Sequence, residues 1–340
     1  MNIAVNGRFR RQQMSGVQRY ASEIVSRLGM GARLVSPESR ASTGMRGHLW
    51  EQLLLPVRTR GELLWSPGNT GPIAKRDQVV TVHDVATFDR PECFTPSFAR
   101  FYQWLLPRLL PRVRAIICVS AFTRSRLLQL FPINPASTMV IHPGLAPDFR
   151  RPTEASMLAQ LAEFSLTPGY LLCLASYEPR KNQQRLLDAW ASLASRLGTR
   201  LVLAGHSGRA QVFAPSHLQP GNNVRSLGHV SESVLPSLYA GAKAFAFPSL
   251  YEGFGMPPLE AMACGTPVIA SQHPAVREAL GDAACYCDPE NIASIASAIA
   301  KVFDSASLRQ ELAEQGLERV RLFDWDRAAA QTRDILTRAA

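Results

Sequence analysis

The stretch 245–271, FAFPSLYEGFGMPPLEAMACGTPVIAS, constrains the fold more than any other part of the chain. It reads as strand, loop, helix, strand. Residues 242–247 are apolar apart from Lys243 and are stopped by Pro248, the pattern of a strand buried inside a parallel sheet. Pro257 and Pro258 fit a first helical turn, where a missing N–H costs nothing. Gly265 ends the helix, and Thr266-Pro267 leads into the apolar strand 268–270. The loop 249–256 therefore joins the end of a parallel strand to the start of a helix. Ligands of open α/β sheets bind at such places, and unpaired backbone N–H groups point there.

Two carboxylates flank this loop, Glu252 and Glu260. Like charges beside an anion site repel it, unless the glutamates hold hydroxyls while the backbone of Phe254, Gly255 and Met256 meets the charged part. A ligand that is both sugar and phosphate suits that division. The alternative is that Glu260 only complements a helix dipole and Glu252 is a solvated loop residue.

A chain of 340 residues has room for two domains. No run of about 18 apolar residues is present, so no membrane span is expected. The N-terminus, MNIAVNGRFRRQ, enters a strand directly and lacks a signal-peptide plan. Cysteines 93, 118, 173, 264, 285 and 287 form neither a CxxC pair nor a zinc-spaced cluster, and are expected as reduced core thiols in a cytosolic protein. Cys285 and Cys287 fall on the same side of one strand, as packing residues. A net charge of +10 favours an anionic partner: nucleic acid, acidic membrane or phosphorylated substrate. No nucleic-acid motif is present, and aromatics are only 8%.

Along the chain, short apolar strands alternate with amphipathic helices, which implies parallel sheets. Strands are expected at 2–5, 32–36, 62–66, 78–82, 115–119, 139–141, 170–175, 201–204, 224–227, 242–247, 268–270 and 283–287. The segment 6–14 reads as a basic loop, and Ser15 as the N-cap of a helix over 16–28. Helices are also expected at 94–114, 121–130, 183–197, 292–303, 306–322 and 326–339. The segment 48–60, HLWEQLLLPVRTR, mixes Leu and Trp with Arg and reads foremost as a core-facing helix. His83, with Asp84, stands at the carboxyl tip of a strand and faces a ligand or fills a structural role. Arg180 and Lys181 precede the helix beginning at Gln183, where cations oppose the helix dipole. A diphosphate between them and the helix end would explain that placement; plain exposure is the alternative. Residues 145–168, with Pro147, Pro152 and Pro168 around a short helix, read as an interdomain passage.

The block PS-x2-EGFG-x-P-x-LEAMA-x-G-x-PVI, with Glu252 and Glu260 eight positions apart, resembles the signature of the retaining nucleotide-sugar glycosyltransferases of family 4. The resemblance runs over nearly the full chain, weakest between 37 and 76. It implies an α/β, GT-B fold: two Rossmann-like parallel-sheet domains facing each other across a cleft. The expected division is an acceptor-binding domain over 1–160, a nucleotide-sugar domain over 161–325, and a C-terminal helix, 326–340, returning to the first domain. The PRKN stretch matches the family's basic phosphate-binding element, although Ser176 stands where some members carry a second cation. Lys181, helped by Arg180, would then balance the diphosphate. Glu260 would bind ribose hydroxyls and Glu252 the donor sugar, with His83 holding that sugar from across the cleft. Gly253, Phe254, Gly255 and Met256 would add backbone donors. Gly228, His229 and Val230 form the turn that in the family packs on the nucleotide base. Gly16 would let its loop approach the diphosphate closely, the family's Gly-Gly pair being Ser15-Gly16 here. The resemblance implies catalysis by His83, Lys181 and Glu252 without a metal or other cofactor, since no Asp-x-Asp stands where a metal would bridge the diphosphate.

The N-terminal style (SGVQRYA, LWEQLLLP, HD-x6-PE) is similar to bacterial mannosyltransferases of surface-polysaccharide assembly. The expected donor is GDP-mannose, with UDP-sugars as the alternative, and the expected acceptor is lipid-diphosphate-linked or a saccharide. A nucleotide-sugar epimerase on the same scaffold, or a non-catalytic binding protein, are the readings from other classes. Arginines 8, 10, 11, 46, 58, 60, 100, 108, 112 and 114 crowd the first third of the chain, several beside Trp50, Phe98, Phe101, Tyr102 and Trp104. That distribution suggests a peripheral protein docked on the anionic inner face of the cytoplasmic membrane.

Overall fold

The computed structural model describes residues 2–12, 15–29, 31–38, 44–174, 176–205, 212–214, 218–219, 221 and 223–340. The expected strand end at Ala175 and loop end at Met14 lie outside these residues. The strands are β1 (Ile3–Asn6), β2 (Ala32–Val35), β3 (Leu63–Ser66), β4 (Gln78–Val82), β5 (Ala115–Cys118), β6 (Thr138–Val140), β7 (Tyr170–Leu174), β8 (Leu201–Ala204), β9 (Val224–Gly228), β10 (Ala242–Phe247), β11 (Val268–Ser271) and β12 (Ala284–Cys287). The helices are α1 (Gly16–Leu28), α2 (Gly44–Leu53), α3 (Leu55–Arg58), α4 (Ala86–Asp89), α5 (Pro96–Leu109), α6 (Ala121–Leu130), α7 (Glu154–Glu163), α8 (Gln183–Ala191), α9 (Ala194–Leu197), α10 (Leu235–Gly241), α11 (Met256–Ala263), α12 (Pro274–Leu280), α13 (Ile292–Asp304), α14 (Ala306–Val320) and α15 (Trp325–Ala339).

The chain forms two compact units. The first, Met1–Asp89, Ala99–Gly144 and Phe323–Ala340, carries a parallel sheet in the order β2-β1-β3-β4-β5-β6. Its core joins Val80, Val82, Leu106, Leu109, Ile116 and Leu127. Helix α15 belongs to this unit and lies along α1, where Arg27 Nε donates to Asp326 at 2.7 Å. The second unit, Arg90–Phe98 and Leu145–Leu322, carries a parallel sheet in the order β12-β11-β10-β7-β8-β9. Leu171, Leu186, Trp190, Leu203, Ile269 and Ile299 build its core, with Cys285 and Cys287 packed from β12. The described cysteines are all free thiols, and burial pushes Cys118, Cys173, Cys264 and Cys287 up to about 12.

The sequence and the fold part in several places. Residues 145–160, expected with the first domain, fold with the second unit because α7 buries Met157 and Leu161 beside α10. Residues 90–98 do likewise, through Thr95 N to Val212 O at 2.8 Å and Ala214 N to Cys93 O at 3.0 Å. The helix expected over 183–197 breaks after Ala191, where the Ser192 hydroxyl takes the Ala189 carbonyl at 2.7 Å and competes with the helical ladder. The helix expected over 94–114 starts at Pro96 and ends at Leu109, since Pro111 has no N–H to extend it.

Each sheet reverses its winding direction once. In the second sheet the reversal falls between β7 and β10, which are hydrogen-bonded neighbours. The loops leaving their carboxyl ends diverge and open a crevice.

Candidate active site

The loop after β7 carries Glu178, Arg180 and Lys181 in and around the 3₁₀ turn Pro179–Lys181. The loop after β10 carries Tyr251, Glu252 and the approach to α11. Backbone and side chain stitch the two loops together. Leu250 N donates to Arg180 O at 2.8 Å. Asn182, in the left-handed conformation at φ 59°, donates from Nδ2 to Pro248 O at 3.0 Å and to Pro289 O at 2.6 Å. The PRKN motif thus ends in a clamp that fixes where its cations sit.

Lys181 Nζ donates to Glu252 Oε1 at 2.7 Å, and Arg180 Nη1 reaches Glu252 Oε2 at 3.4 Å. Arg180 also donates from Nε and Nη2 to Glu178, at 2.8 and 3.3 Å. Glu178 and Glu252 are both buried. Two cations thus meet two carboxylates, which answers the unfavourable dipole position without a ligand. Burial alone would raise the Glu252 carboxyl. The Lys181 and Arg180 charges outweigh it and hold that group below the ordinary glutamate range. Glu252 is therefore an ionised acceptor, and its oxygens have more lone-pair sites than these two cations use.

Gly255 is the N-cap of α11 with φ 130°, a conformation open only to glycine, and it turns the chain sharply into the helix. Phe254 is buried beneath this turn. Pro257 and Pro258 follow in the first turn as expected. Glu260, one turn into α11, is buried and its Oε2 accepts from Tyr239 Oη at 3.0 Å. His229 is exposed and Val230 buried at the end of β9, two strands from β7. Gly205 N bonds Gly228 O there, at 2.8 Å.

His83 and Gly16 lie in the first unit. His83 is buried at the carboxyl end of β4, with Nε2 at 2.8 Å from Pro67 O. A carbonyl only accepts, so Nε2 carries the proton and Nδ1 is left as an acceptor. Burial lowers the pKa of the ring and keeps it neutral. Tyr20 of α1 stands edge-on to the imidazole at 4.9 Å, which links His83 to the helix that Gly16 opens. A Cβ on Gly16 would meet nothing within 4 Å, so the fold itself does not require glycine there. Ser15 sits at the N-cap, but its hydroxyl turns to the Gln18 side chain and makes no backbone cap.

Sequence reading missed Glu178 and Asn182, the groups that position Arg180 and the loop. Their partners are distant in sequence or out of helical period, so no pattern marks them. Among the described residues no group of three His, Cys, Asp or Glu side chains could hold a metal ion. Asp324-x-Asp326 is a helix cap, Asp324 accepting from Asp326 N at 2.8 Å.

Two six-stranded parallel sheets are thus joined in one chain, and the second carries a cation pair and a glycine-turned helix end at its winding reversal. Residues 161–319 match the family model for glycosyl transferases group 1, and residues 63–149 that for glycosyltransferase family 4. The chain belongs to this family. O-antigen chain mannosyltransferase B of Escherichia coli is 33% identical over 75% of this chain and 68% of that protein. The serotype-specific mannosyltransferase WbdA of Escherichia coli is 28% identical over 74% of this chain, a stretch that spans 32% of WbdA. O-antigen chain mannosyltransferase RfbU of Salmonella typhimurium is 28% identical over 67% of this chain and 61% of its own. Among solved structures, Anabaena HepE in complex with UDP and glucose has a TM-score of 0.75 at 16% identity, covering 99% of both chains. WaaG, a glycosyltransferase involved in lipopolysaccharide biosynthesis, has a TM-score of 0.74 at 16% identity, covering 99% of this chain and 100% of WaaG.

Proposed function

We propose that this protein transfers mannose from GDP-mannose to a lipid-linked or saccharide acceptor in surface-polysaccharide assembly, with retention of configuration and without a metal. The observation that carries the reading is the Lys181–Glu252–Arg180 cluster beside the start of α11. The names of the mannosyltransferase relatives support the sugar.

In this reading the donor diphosphate lies against Lys181, Arg180 and the N–H groups that open α11. Its charge grows as the bond from C1 of the sugar to phosphate oxygen breaks, and these groups stabilise the growth. Glu252 keeps Lys181 in place and accepts from sugar hydroxyls. Glu260 and the turn at His229 and Val230 hold the nucleoside. His83 accepts a sugar hydroxyl at Nδ1. The acceptor oxygen bonds C1 from the face that the diphosphate leaves, and its proton passes to the departing phosphate oxygen. The lysine and helix end supply the charge that a metal supplies elsewhere. The arginine-rich first unit holds the enzyme at the inner membrane face, each basic residue contributing about 1 kcal/mol near anionic lipid.

Turnover of GDP-mannose, other GDP-hexoses and UDP-glucose, each with EDTA present, tests the donor. GDP-mannose should be consumed fastest and at an unchanged rate in EDTA. Preference for UDP-glucose would favour the second reading, raised by a structural neighbour solved with UDP-glucose. Loss of turnover in EDTA, restored by magnesium or manganese, would overturn the metal-free diphosphate site. Gly16→Ala should keep its melting temperature, because the space at Cβ is open and alanine suits a helix. Its KM for the donor should rise about tenfold, the effect of a methyl group crowding a phosphate. An unchanged KM would remove Gly16 from the donor site.

A further inference from the structure

Helix α2 is inside out. It buries Gly47, Trp50 and Glu51, while Met45, Leu49 and Leu53 are exposed at 63%, 53% and 65%. Leu54 and Val57 continue outward at 50% and 72%. Positions 45, 49, 53 and 57 share a four-residue spacing, so they form one stripe along α2 and α3. The sequence suggested a core-facing helix here. Trp50 and Leu55 do face the core, but the other large apolar residues do not.

A buried polar network fixes this orientation. Glu51 accepts from Asn6 Nδ2 at 2.7 Å, Thr70 Oγ1 at 3.0 Å and Arg8 Nη1 at 3.1 Å. These partners come from the carboxyl ends of β1 and β3, where the first sheet reverses its winding. Rolling the stripe inward would pull Glu51 away and leave Arg8 buried and uncompensated. The apolar face is therefore held outward.

Its surroundings are basic. Arg46, Arg58 and Arg60 are exposed among the stripe residues. His48 of α2 packs on Phe101 of α5, ring centres 4.3 Å apart, and ties in α5. There Trp104 is 47% exposed with the Arg108 guanidinium 5.2 Å over its ring. The acidic residues nearby are engaged: Glu38 with Arg58 at 2.8 Å, and Glu62 with Arg33.

An outward apolar stripe rimmed by arginines, with a tryptophan at its edge, is complementary to an anionic lipid headgroup layer. We propose that α2 and α3 insert Met45, Leu49, Leu53, Leu54 and Val57 into such a layer, so that docking is hydrophobic as well as electrostatic. This rests on the membrane-face reading above and names the element that performs it.

Sedimentation of the full chain with phosphatidylcholine vesicles, with or without phosphatidylglycerol, tests the inference. The comparison is with the triple variant Leu49→Gln/Leu53→Gln/Val57→Gln, whose sites are exposed and should leave the circular dichroism and melting temperature unchanged. Wild type should bind the anionic vesicles, and its tryptophan emission should shift to the blue. Trp104 would report that shift, since Trp50, Trp65, Trp190 and Trp325 are buried. The triple variant should bind about tenfold or more weakly, lose the shift, and keep transfer to a water-soluble acceptor. Equal binding by both proteins would overturn the insertion while leaving electrostatic docking intact. No binding by wild type would overturn the membrane reading with it. A wild-type dimer that the variant abolishes, with no vesicle binding, would make the stripe a contact between copies and overturn the proposal.

Discussion

Lys181→Ala is expected to lower kcat by about 10²–10³-fold, the range for removing one preorganised donor from a developing oxyanion. Lys181 is the shortest contact to Glu252, at 2.7 Å. The clamp at the neighbouring Asn182 fixes the backbone from which it projects. Arg180→Ala should cost less, about tenfold to a hundredfold, because Arg180 divides its donors between Glu178 and Glu252. The order matters more than the sizes, since Ser176 supplies no second cation upstream. Lys181→Ala should also be somewhat less stable, as the one cation left to the buried Glu252 among those paired with it is Arg180, at 3.4 Å. Steady-state kinetics on protein shown to be folded will check this. A kcat within twofold of wild type would remove Lys181 from the leaving-group site.

The two glutamates should separate by kinetic parameter. Glu252→Ala takes away the carboxylate that pairs with Lys181 and that, in the proposed function, meets the reacting sugar. It should lower kcat with little change in donor KM. Glu260→Gln keeps an oxygen for Tyr239 to donate to, so the fold should be undisturbed. In the proposed function it removes a charged acceptor for the nucleoside, so donor KM should rise with kcat nearly kept. A hydrogen bond to a charged group contributes about 1.5–3 kcal/mol, which is roughly tenfold to more than a hundredfold in each case. Wild-type parameters in both variants would dismantle the site.

Much of this was legible in the sequence for identifiable physical reasons. The strands show as short apolar runs ended by Pro, Gly or His, because both faces of a parallel sheet are covered. The block at 245–271 is legible because strand, glycine turn and helix are contiguous, so one segment holds the whole geometry. Arg180 and Lys181 stand out because they oppose a helix dipole. Glu178 does not, because its partners Ser176 and Arg180 stand two residues away, a spacing with no helical meaning, and Asn182 does not, because its clamp depends on Pro248 and Pro289, far along the chain. The inverted face of α2 was hidden for the same reason. Its direction is decided by Asn6, Arg8 and Thr70, which no periodicity within 44–58 can show. The break at Ser192 turned on a side-chain hydrogen bond that a leucine stripe does not reveal.

Transfer of label from GDP-mannose to an acceptor, with the anomeric configuration of the product read by NMR, tests the central claim most directly. Wild type in EDTA should form a mannosyl product with the donor's α configuration, and Lys181→Ala and Glu252→Ala should form almost none. A product of inverted configuration, or undiminished transfer by both variants, would contradict the account.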